Sequence, residues 1–449
     1  MINTLVNEKY TMKSANQAYL NGDWEYAAEQ YVYISKSHPD LATMARFNLQ
    51  LIQSMHAIYE KERIDRLNIS YVTLSETFHA SELIDTPKSI LDSRLLKTRS
   101  HTDFRGFGAA LLGPLFASYF LSLSKYLNKN PQVTLLRFLA REGYVLERAF
   151  THLKEKNLIK NISSNYLLCS RTLLFKIALV QKKNWEAVLN HHFTGCIRDL
   201  LAARFQFSAK EIEQLIAESR LNNEEQNNQF TLPNEKNLVI HFFTRCESSI
   251  KSIVSNKHES YSRYLSSVGF GAKGTEHLVD IGYSGTIQKL LTEISGCKTV
   301  GHYFMTTSNA KRTTKASFLG HISSNLNFGD GCGLLDRSLF IEAIMTAPHG
   351  QVIDVQPYND DSATFTFGAT TGAQQSYDKI EQIIDGAILY AEKAITADST
   401  MNFADLNDYY SRFVANLSIF PKDLHSLFEI DDNISGLGIL NPIDFFKKV

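Results

Sequence analysis

Proline is scarce in this chain, with 9 residues in 449, while tyrosine (20) and phenylalanine (28) are plentiful. A chain so rich in aromatic groups and so poor in proline excludes long disordered tracts. Cysteine is scarce too. The five stand far apart, at 169, 196, 246, 297 and 332, and none forms a Cys-x-x-Cys pair. That pattern excludes a disulfide scaffold and a zinc site of standard spacing, and it predicts reduced thiols and a cytoplasmic location. Net charge is nearly absent, −1 at neutral pH. No global basic field exists to hold nucleic acid non-specifically. The opening stretch MINTLVNEKYTMKSANQAYL lacks the basic-then-apolar order of a secretory signal.

Long apolar runs are rare as well. The exception is Phe107–Leu123, FGAALLGPLFASYFLSL, which is barely long enough to span a bilayer. It contains Gly113-Pro114 and lacks flanking aromatic anchors with basic loops, so it is expected to be a buried helix beside a sheet. A soluble chain, or one peripheral to the inner face of a membrane, is the expectation.

What is present is a chain long enough for two or three units with full cores. In residues 1–60 the run GDWEYAAEQYVYISKSHP spaces Gly22, Trp24, Ala27, Tyr31, Ile34 and Pro39 like the second helix of a tetratricopeptide repeat, and Asn48 and Leu49 fit the start of a next unit. A plain amphipathic hairpin is the alternative. One repeat cannot stand alone, so it must pack on the rest of the chain or on a partner. Residues 61–104 read as a polar, partly helical linker. Residues 105–350 read as the main domain, and 351–449 as a hairpin followed by helices.

Within the main domain strand and helix alternate. VTLLRFLA (133–140) suits a buried parallel strand and runs into Arg141-Glu142-Gly143-Tyr144, after which Val145, Leu146, Ala149, Phe150 and Leu153 keep a helical period. YLLC (166–169) reads as a second strand ending at Ser170-Arg171. His241–Val268 reads as one long helix, and TVGHYFM (299–305) as a further strand. Such alternation predicts an α/β fold with a parallel sheet, whose ligands lie at the carboxyl ends of the strands.

The stretch Glu276–Leu291, EHLVDIGYSGTIQKLL, carries the sharpest signal. An apolar run ends in Asp280. A turn follows through Gly282, Tyr283, Ser284, Gly285 and Thr286, and Ile287, Leu290 and Leu291 then recur at helical spacing. A strand–turn–helix of this kind gathers free N–H groups and the positive end of a helix at one point, and hydroxyls at 284 and 286 add donors. An anion fits there; the acid before the turn suits sugar hydroxyls or, through water, a metal. The bland alternative is an ordinary turn that uses glycine for geometry.

The order strand–Asp–x–Gly–x–Ser–Gly–Thr–helix resembles the phosphoribosyl-pyrophosphate (PRPP) motif of type I phosphoribosyltransferases. FLAREGY, YLLCSR, LVDIGYSGT and FIEAIMTAPHG, taken in order over roughly residues 100–350, resemble the glycan phosphoribosyltransferase module of bacterial capsule and O-antigen assembly. The resemblance implies a phosphoribosyltransferase-like core with helical insertions. It implies that Asp280 holds the ribose hydroxyls and that Gly282, Tyr283, Ser284, Gly285 and Thr286 form the 5-phosphate turn. Val279 stands where the family carries a first acid. It further implies that Arg141, Glu142, Gly143, Tyr144, Ser170 and Arg171 surround the pyrophosphate with Mg²⁺, and that ribose 5-phosphate passes to a glycan hydroxyl. A separate phosphatase and other polysaccharide-assembly enzymes would be partners.

Several residues keep two readings. Glu142 holds Mg²⁺ through water or caps the helix that follows. Glu342, or Glu142, is the general base on the acceptor, or Glu342 is only a helix acid. His349 serves the site or the core, and Tyr144 and Tyr283 contact sugar or pack. His191 and His192 are expected to be structural. A haloacid-dehalogenase-type phosphatase is one rival function, although the chain contains no Asp-x-Asp for its nucleophile pair. A non-catalytic scaffold of a polymerase complex is the other.

Overall fold

The computed structural model describes residues 10–20, 23–37, 45, 103–272, 274–356, 363–415, 422–432 and 438–445. Nearly all of the linker expected over 61–104 lies outside the described residues, as do Gly22, Pro39, Asn48 and Leu49 of the expected repeat. What is described of the N-terminal region is a helix pair, α1 (Met12–Leu20) and α2 (Trp24–Ser37). Its small core is Ala15, Ala18, Ala27, Tyr31, Ile34 and Ala45. The tyrosine hydroxyl of Tyr31 is satisfied by Asn16 Oδ1 at 2.7 Å.

The main body opens with α3 (Phe104–Leu111) and α4 (Gly113–Lys129), where one helix was expected. Pro114 explains the break. It supplies no N–H and its ring displaces the preceding turn, so it is tolerated only where a new helix starts. The two helices meet at 50°. Their apolar residues, among them Phe107, Leu111, Phe116, Phe120 and Leu127, are buried within the molecule, as the sequence predicts. Among the described residues no single helix is long and apolar enough to cross a membrane.

The chain then alternates β1 (Leu135–Leu139), α5 (Gly143–Glu155), β2 (Ser163–Leu167) and α6 (Arg171–Ala178). A short antiparallel pair, β3 (Phe193–Gly195) with β4 (Phe230–Leu232), interrupts the helical insertion. The long helix expected over 241–268 is two, α7 (Lys236–Arg245) and α8 (Glu247–Ser267), parted at Cys246. Then come β5 (Glu276–Val279), α9 (Thr286–Ser295), β6 (Thr299–Thr307), β7 (Ala316–Leu326) and α10 (Ser338–Ile344). The predicted hairpin is present as β8 (Val352–Val355) paired with β9 (Phe365–Phe367). The C-terminal region holds α11 (Tyr377–Thr396), α12 (Phe403–Ala415) and the pair β10 (Ile430–Asp432) with β11 (Gly438–Leu440).

Five strands form one parallel sheet in the order β2-β1-β5-β6-β7. Alternate side chains leave opposite faces of a strand, and each face has its own core. Leu136 and Phe138 of β1, with Val279 of β5, join the layer built from α3, α4, α5 and α11. Leu139 and Leu278 join the layer built from α6, α7, α8 and α9. The result is a three-layer α/β/α architecture. Residues beyond 350 share its cores, since Ile383, Ile384 and Ala387 of α11 pack in the first layer and Val352 and Val355 in the second.

The strand order fixes where a ligand can sit. From β1 the chain goes to β2 on one side and then crosses to β5 on the other. The connections therefore diverge at β1 and β5, and a crevice opens above their carboxyl ends. The loops at 140–143 and 280–286 face each other across it.

Beneath this edge the sheet carries a row of imidazoles that was not foreseen. His277 of β5, His302 of β6 and His321 of β7 lie side by side. His277 Nδ1 is 3.0 Å from His302 Nε2, and His302 Nδ1 is 2.9 Å from His321 Nε2. The row ends on Ser122 Oγ, 3.1 Å from His321 Nδ1. A neutral imidazole has one donor and one acceptor, so all three bonds form only when the three tautomers run in one direction. Tyr126 of α4 sits edge-on over His302, with ring centroids 4.8 Å apart. Burial holds all three imidazoles below the ordinary range, His302 furthest and His321 to about 4.

Candidate functional site

The loop after β1 is tightly built. Ala140 N–H donates to Leu167 O at 3.1 Å, tying the strand end to β2. At Gly143 a Cβ would lie 2.6 Å from the backbone carbon of Phe138. Gly143 thus lets α5 start directly over β1, which is a packing role. Glu142 occupies the N-cap position of α5, but its side chain makes no cap bond. Its Oε2 accepts from Arg141 N–H at 3.1 Å instead. Of the two readings for Glu142, helix capping is set aside.

Arg141 is not open to the crevice in the way the resemblance implies. Its Nη1 and Nη2 donate to the two carboxylate oxygens of Asp431 in β10, at 2.9 and 3.4 Å. Such a two-pronged pair is how a guanidinium also holds a phosphate. Asp431 occupies the group that a diphosphate would use.

The turn after β5 is pinned to β6. Phe304 N–H donates to Ile281 O at 3.1 Å and Thr307 N–H to Tyr283 O at 2.9 Å. Ser284 Oγ and Thr307 Oγ1 are 2.7 Å apart. Gly285 takes φ +65°, and a Cβ there would fall 2.2 Å from the ring of Phe318. Only glycine fits at that point. The helix α9 begins at Thr286 with no side-chain cap. Its first N–H groups and the positive end of its dipole are therefore left without a side-chain cap, just past the carboxyl end of β5.

Asp280 stands between the two loops. It is buried, with its backbone N–H on His302 O at 3.2 Å and its Oδ1 accepting from Ile281 N–H at 2.8 Å. Burial pushes its pKa well above the ordinary carboxylate range. The negative charges of Glu142 and then Glu342 add to that, and the Arg171 guanidinium opposes it. Four residues singled out in the sequence, on four separate elements, thus share one electrostatic neighbourhood. Arg171 opens α6 and is exposed. Ser170, just before it, is used up structurally: its Oγ accepts from Leu173 N–H at 3.0 Å and donates to Val352 O at 2.5 Å.

A second group lines the β2 side. Tyr166 O–H meets His349 Nε2 at 3.0 Å, and His349 Nδ1 donates to Gly350 O at 2.8 Å. Burial and, less strongly, the Arg141 charge lower the His349 pKa, so Nε2 is the acceptor for Tyr166. The ring of Tyr144 packs edge-on against Tyr166, with centroids 5.7 Å apart. Tyr283, by contrast, is buried in the apolar layer with Ile281 and Met305. Packing is its reading.

No protein-family model matches the chain, and a search of curated proteins returns no match. The site must be argued from its own chemistry. Among the described residues, no three His, Cys, Asp or Glu side chains are placed to hold a metal ion.

Sequence reasoning missed Asp431 and Tyr166. Asp431 lies 290 residues from Arg141 and carries no local signal. Tyr166 was visible only as a strand residue. Arg204 Nη2 donates to the carbonyls of His191 and His192 at 3.1 and 2.7 Å, and the His191 ring packs on Phe175 with centroids 5.2 Å apart.

Proposed function

We propose that the chain transfers ribose 5-phosphate from PRPP to a hydroxyl of a glycan acceptor, releasing pyrophosphate, in assembly of a bacterial capsule or O-antigen polysaccharide. One observation carries the reading. Glu142 and Glu342 direct their negative charge at the buried carboxyl of Asp280, with Arg171 opposing them, and the uncapped start of α9 follows six residues on. Burial is the main cause of the raised Asp280 pKa, and the negative field of Glu142 and Glu342 that adds to it favours positive charge placed beside it. Departure of pyrophosphate from C1 puts such a charge on the ribose ring. The anionic ends of PRPP are met elsewhere, the 5-phosphate by the amides and hydroxyls of Ser284–Thr286 and the pyrophosphate by Arg171. Arg141 adds to the latter once it leaves Asp431.

In this mechanism Asp280 holds the ribose hydroxyls and fixes the ring. The acceptor oxygen attacks C1 from the face opposite pyrophosphate, forming the new C–O bond. The C1–O bond breaks with its electron pair going to pyrophosphate. The acceptor proton passes to the carboxylate of Glu342, or of Glu142. Mg²⁺, when bound with PRPP, supplies neutralisation of the leaving pyrophosphate.

The test is incubation with PRPP, Mg²⁺ and glycan acceptors, with pyrophosphate release as readout and PRPP binding followed by calorimetry. Release that depends on acceptor supports the reading; no release and no binding overturns it. A non-catalytic scaffold is the second reading. The Arg141–Asp431 pair favours it, because that pair closes the cation the chemistry would use.

A further inference from the structure

A groove of about 530 Å³ runs along the outer side of α5, between that helix and α11. It begins at Tyr144 and continues past Arg148 and Thr151 to Glu155. Tyr144 is its link to the site. The Tyr144 ring packs on Tyr166, the partner of His349, and also faces Tyr377 with centroids 6.3 Å apart. A helix rises about 1.5 Å per residue, so the groove leads roughly 16 Å away from the crevice along α5.

Its walls have a specific chemistry. Arg148 Nη2 is held by Asp385 Oδ1 at 2.6 Å, and Arg105 Nη2 approaches Asp385 Oδ2 at 3.7 Å. Planar donors and acceptors are thereby fixed where the two helices meet at the groove. Leu389, 37% exposed, and Tyr144 offer apolar faces. Arg105 and Arg148 stand among Glu147, Glu155 and Asp385, and His152 Nε2 is bound to Glu392 Oε2 at 2.6 Å, so no block of one sign lines the groove. A polyanion gains nothing from such a groove. A neutral sugar chain matches it: hydroxyls suit the fixed guanidinium–carboxylate pair, and the C–H faces of the rings suit the tyrosine and leucine.

We propose that this groove is the acceptor subsite. It holds a neutral oligosaccharide whose end passes Tyr144 and presents its hydroxyl to the crevice. The proposal rests on the transferase reading, and it adds where the acceptor lies and that it is uncharged along its length.

The test fills the groove. Thr151→Trp plugs its middle from α5, and Leu389→Arg alters the facing wall from α11, so a folding failure of one leaves the other. Probes are a panel of neutral hexose, N-acetylhexosamine and pentose trisaccharides, read by saturation-transfer NMR and by pyrophosphate release. The expected result is a panel member that binds wild type and loses at least tenfold affinity in both variants, with PRPP affinity by calorimetry unchanged. Equal binding to wild type and to either folded variant overturns the proposal, as does a panel with no binder. Absence of PRPP binding to wild type instead overturns the transferase reading, and the NMR arm separates that result from failure of the groove.

Discussion

Strand β5 carries two buried sets of ionisable groups, and they differ in completeness. Along its length His277 begins the imidazole row; just past its carboxyl end Asp280 sits among Glu142 and Glu342. Burial disfavours charge in both, lowering the imidazole pKa values and raising that of Asp280. The row nevertheless closes on itself. Both ring nitrogens of His302 are engaged by neighbouring imidazoles, and nothing further is required. Asp280 feels the negative charges of Glu142 and Glu342 and, against them, the positive charge of exposed Arg171. A set whose ring nitrogens bond one another is architecture, whereas carboxylates gathered past the carboxyl ends of parallel strands stand where such sheets bind ligands.

Replacing one member of each set separates the two roles, and the largest effect falls on activity. Asp280→Asn keeps the shape and the bond to Ile281 N–H but removes the ionisable carboxyl. It should reduce transfer by about 10²–10³-fold, the usual cost of losing one preorganised electrostatic group. The same change should raise stability at neutral pH by about 1 kcal/mol, because it removes the cost of burying, beside two other acids, a carboxyl that the unfolded chain ionises freely. Thermal unfolding and steady-state rates on one preparation check both signs.

His302→Ala should do the reverse. Removing a fully buried ring and orphaning His277 and His321 should cost about 3–5 kcal/mol in denaturant unfolding. The fraction that remains folded should keep its turnover number. A large loss of turnover in folded protein would join the row to the site and dissolve the comparison.

The pH dependence of stability follows from the same contrast. The folded imidazoles hold their protons less tightly than in the unfolded chain, where the value is near 6.5. Below that pH the unfolded chain binds more protons, so stability is full above pH 6.5 and falls as pH drops toward about 4, the value for His321. Asp280 acts oppositely, since its raised value makes neutral pH unfavourable to the fold. Unfolding curves from pH 8 to pH 4 should therefore show acid destabilisation in wild type, a shallower slope in His277→Gln with His321→Gln, and a steeper slope in Asp280→Asn.

Smaller effects sharpen the carboxylate side. Arg171→Met should weaken PRPP about tenfold, or ~1.4 kcal/mol, with little change in stability because the side chain is exposed. Asp431→Asn, which loosens the hold on Arg141, should tighten PRPP by a few-fold in calorimetry. No change would mean that Arg141 stays out of the crevice.

Much of the architecture was legible because it is written locally. The apolar runs at 133–140 and 276–279, each followed by a glycine-containing loop and a helical period, place two of the five strands and both crevice loops. Strand β7 was not legible. Its sequence ASFLGHISSNL is polar, its residues are mostly half-buried at the sheet edge, and edge strands lack the apolar run that marks a central one. The convergence of Asp280, Glu142 and Arg171 was legible through the rule for carboxyl ends of parallel strands, whereas Glu342, on a helix, kept two readings. The Arg141–Asp431 pair and the alignment of three histidines were not. Both depend on strand register or on contacts between distant segments, and neither leaves a spacing in the sequence.

The central claim is that the crowded carboxylates and the uncapped helix start together hold PRPP. Calorimetric titration of PRPP with Mg²⁺ into wild type and Asp280→Asn tests it most directly. The account predicts saturable binding to wild type, and in the variant binding weakened by tenfold or more with the fold intact. Equal binding to both proteins, or none to wild type, would contradict it.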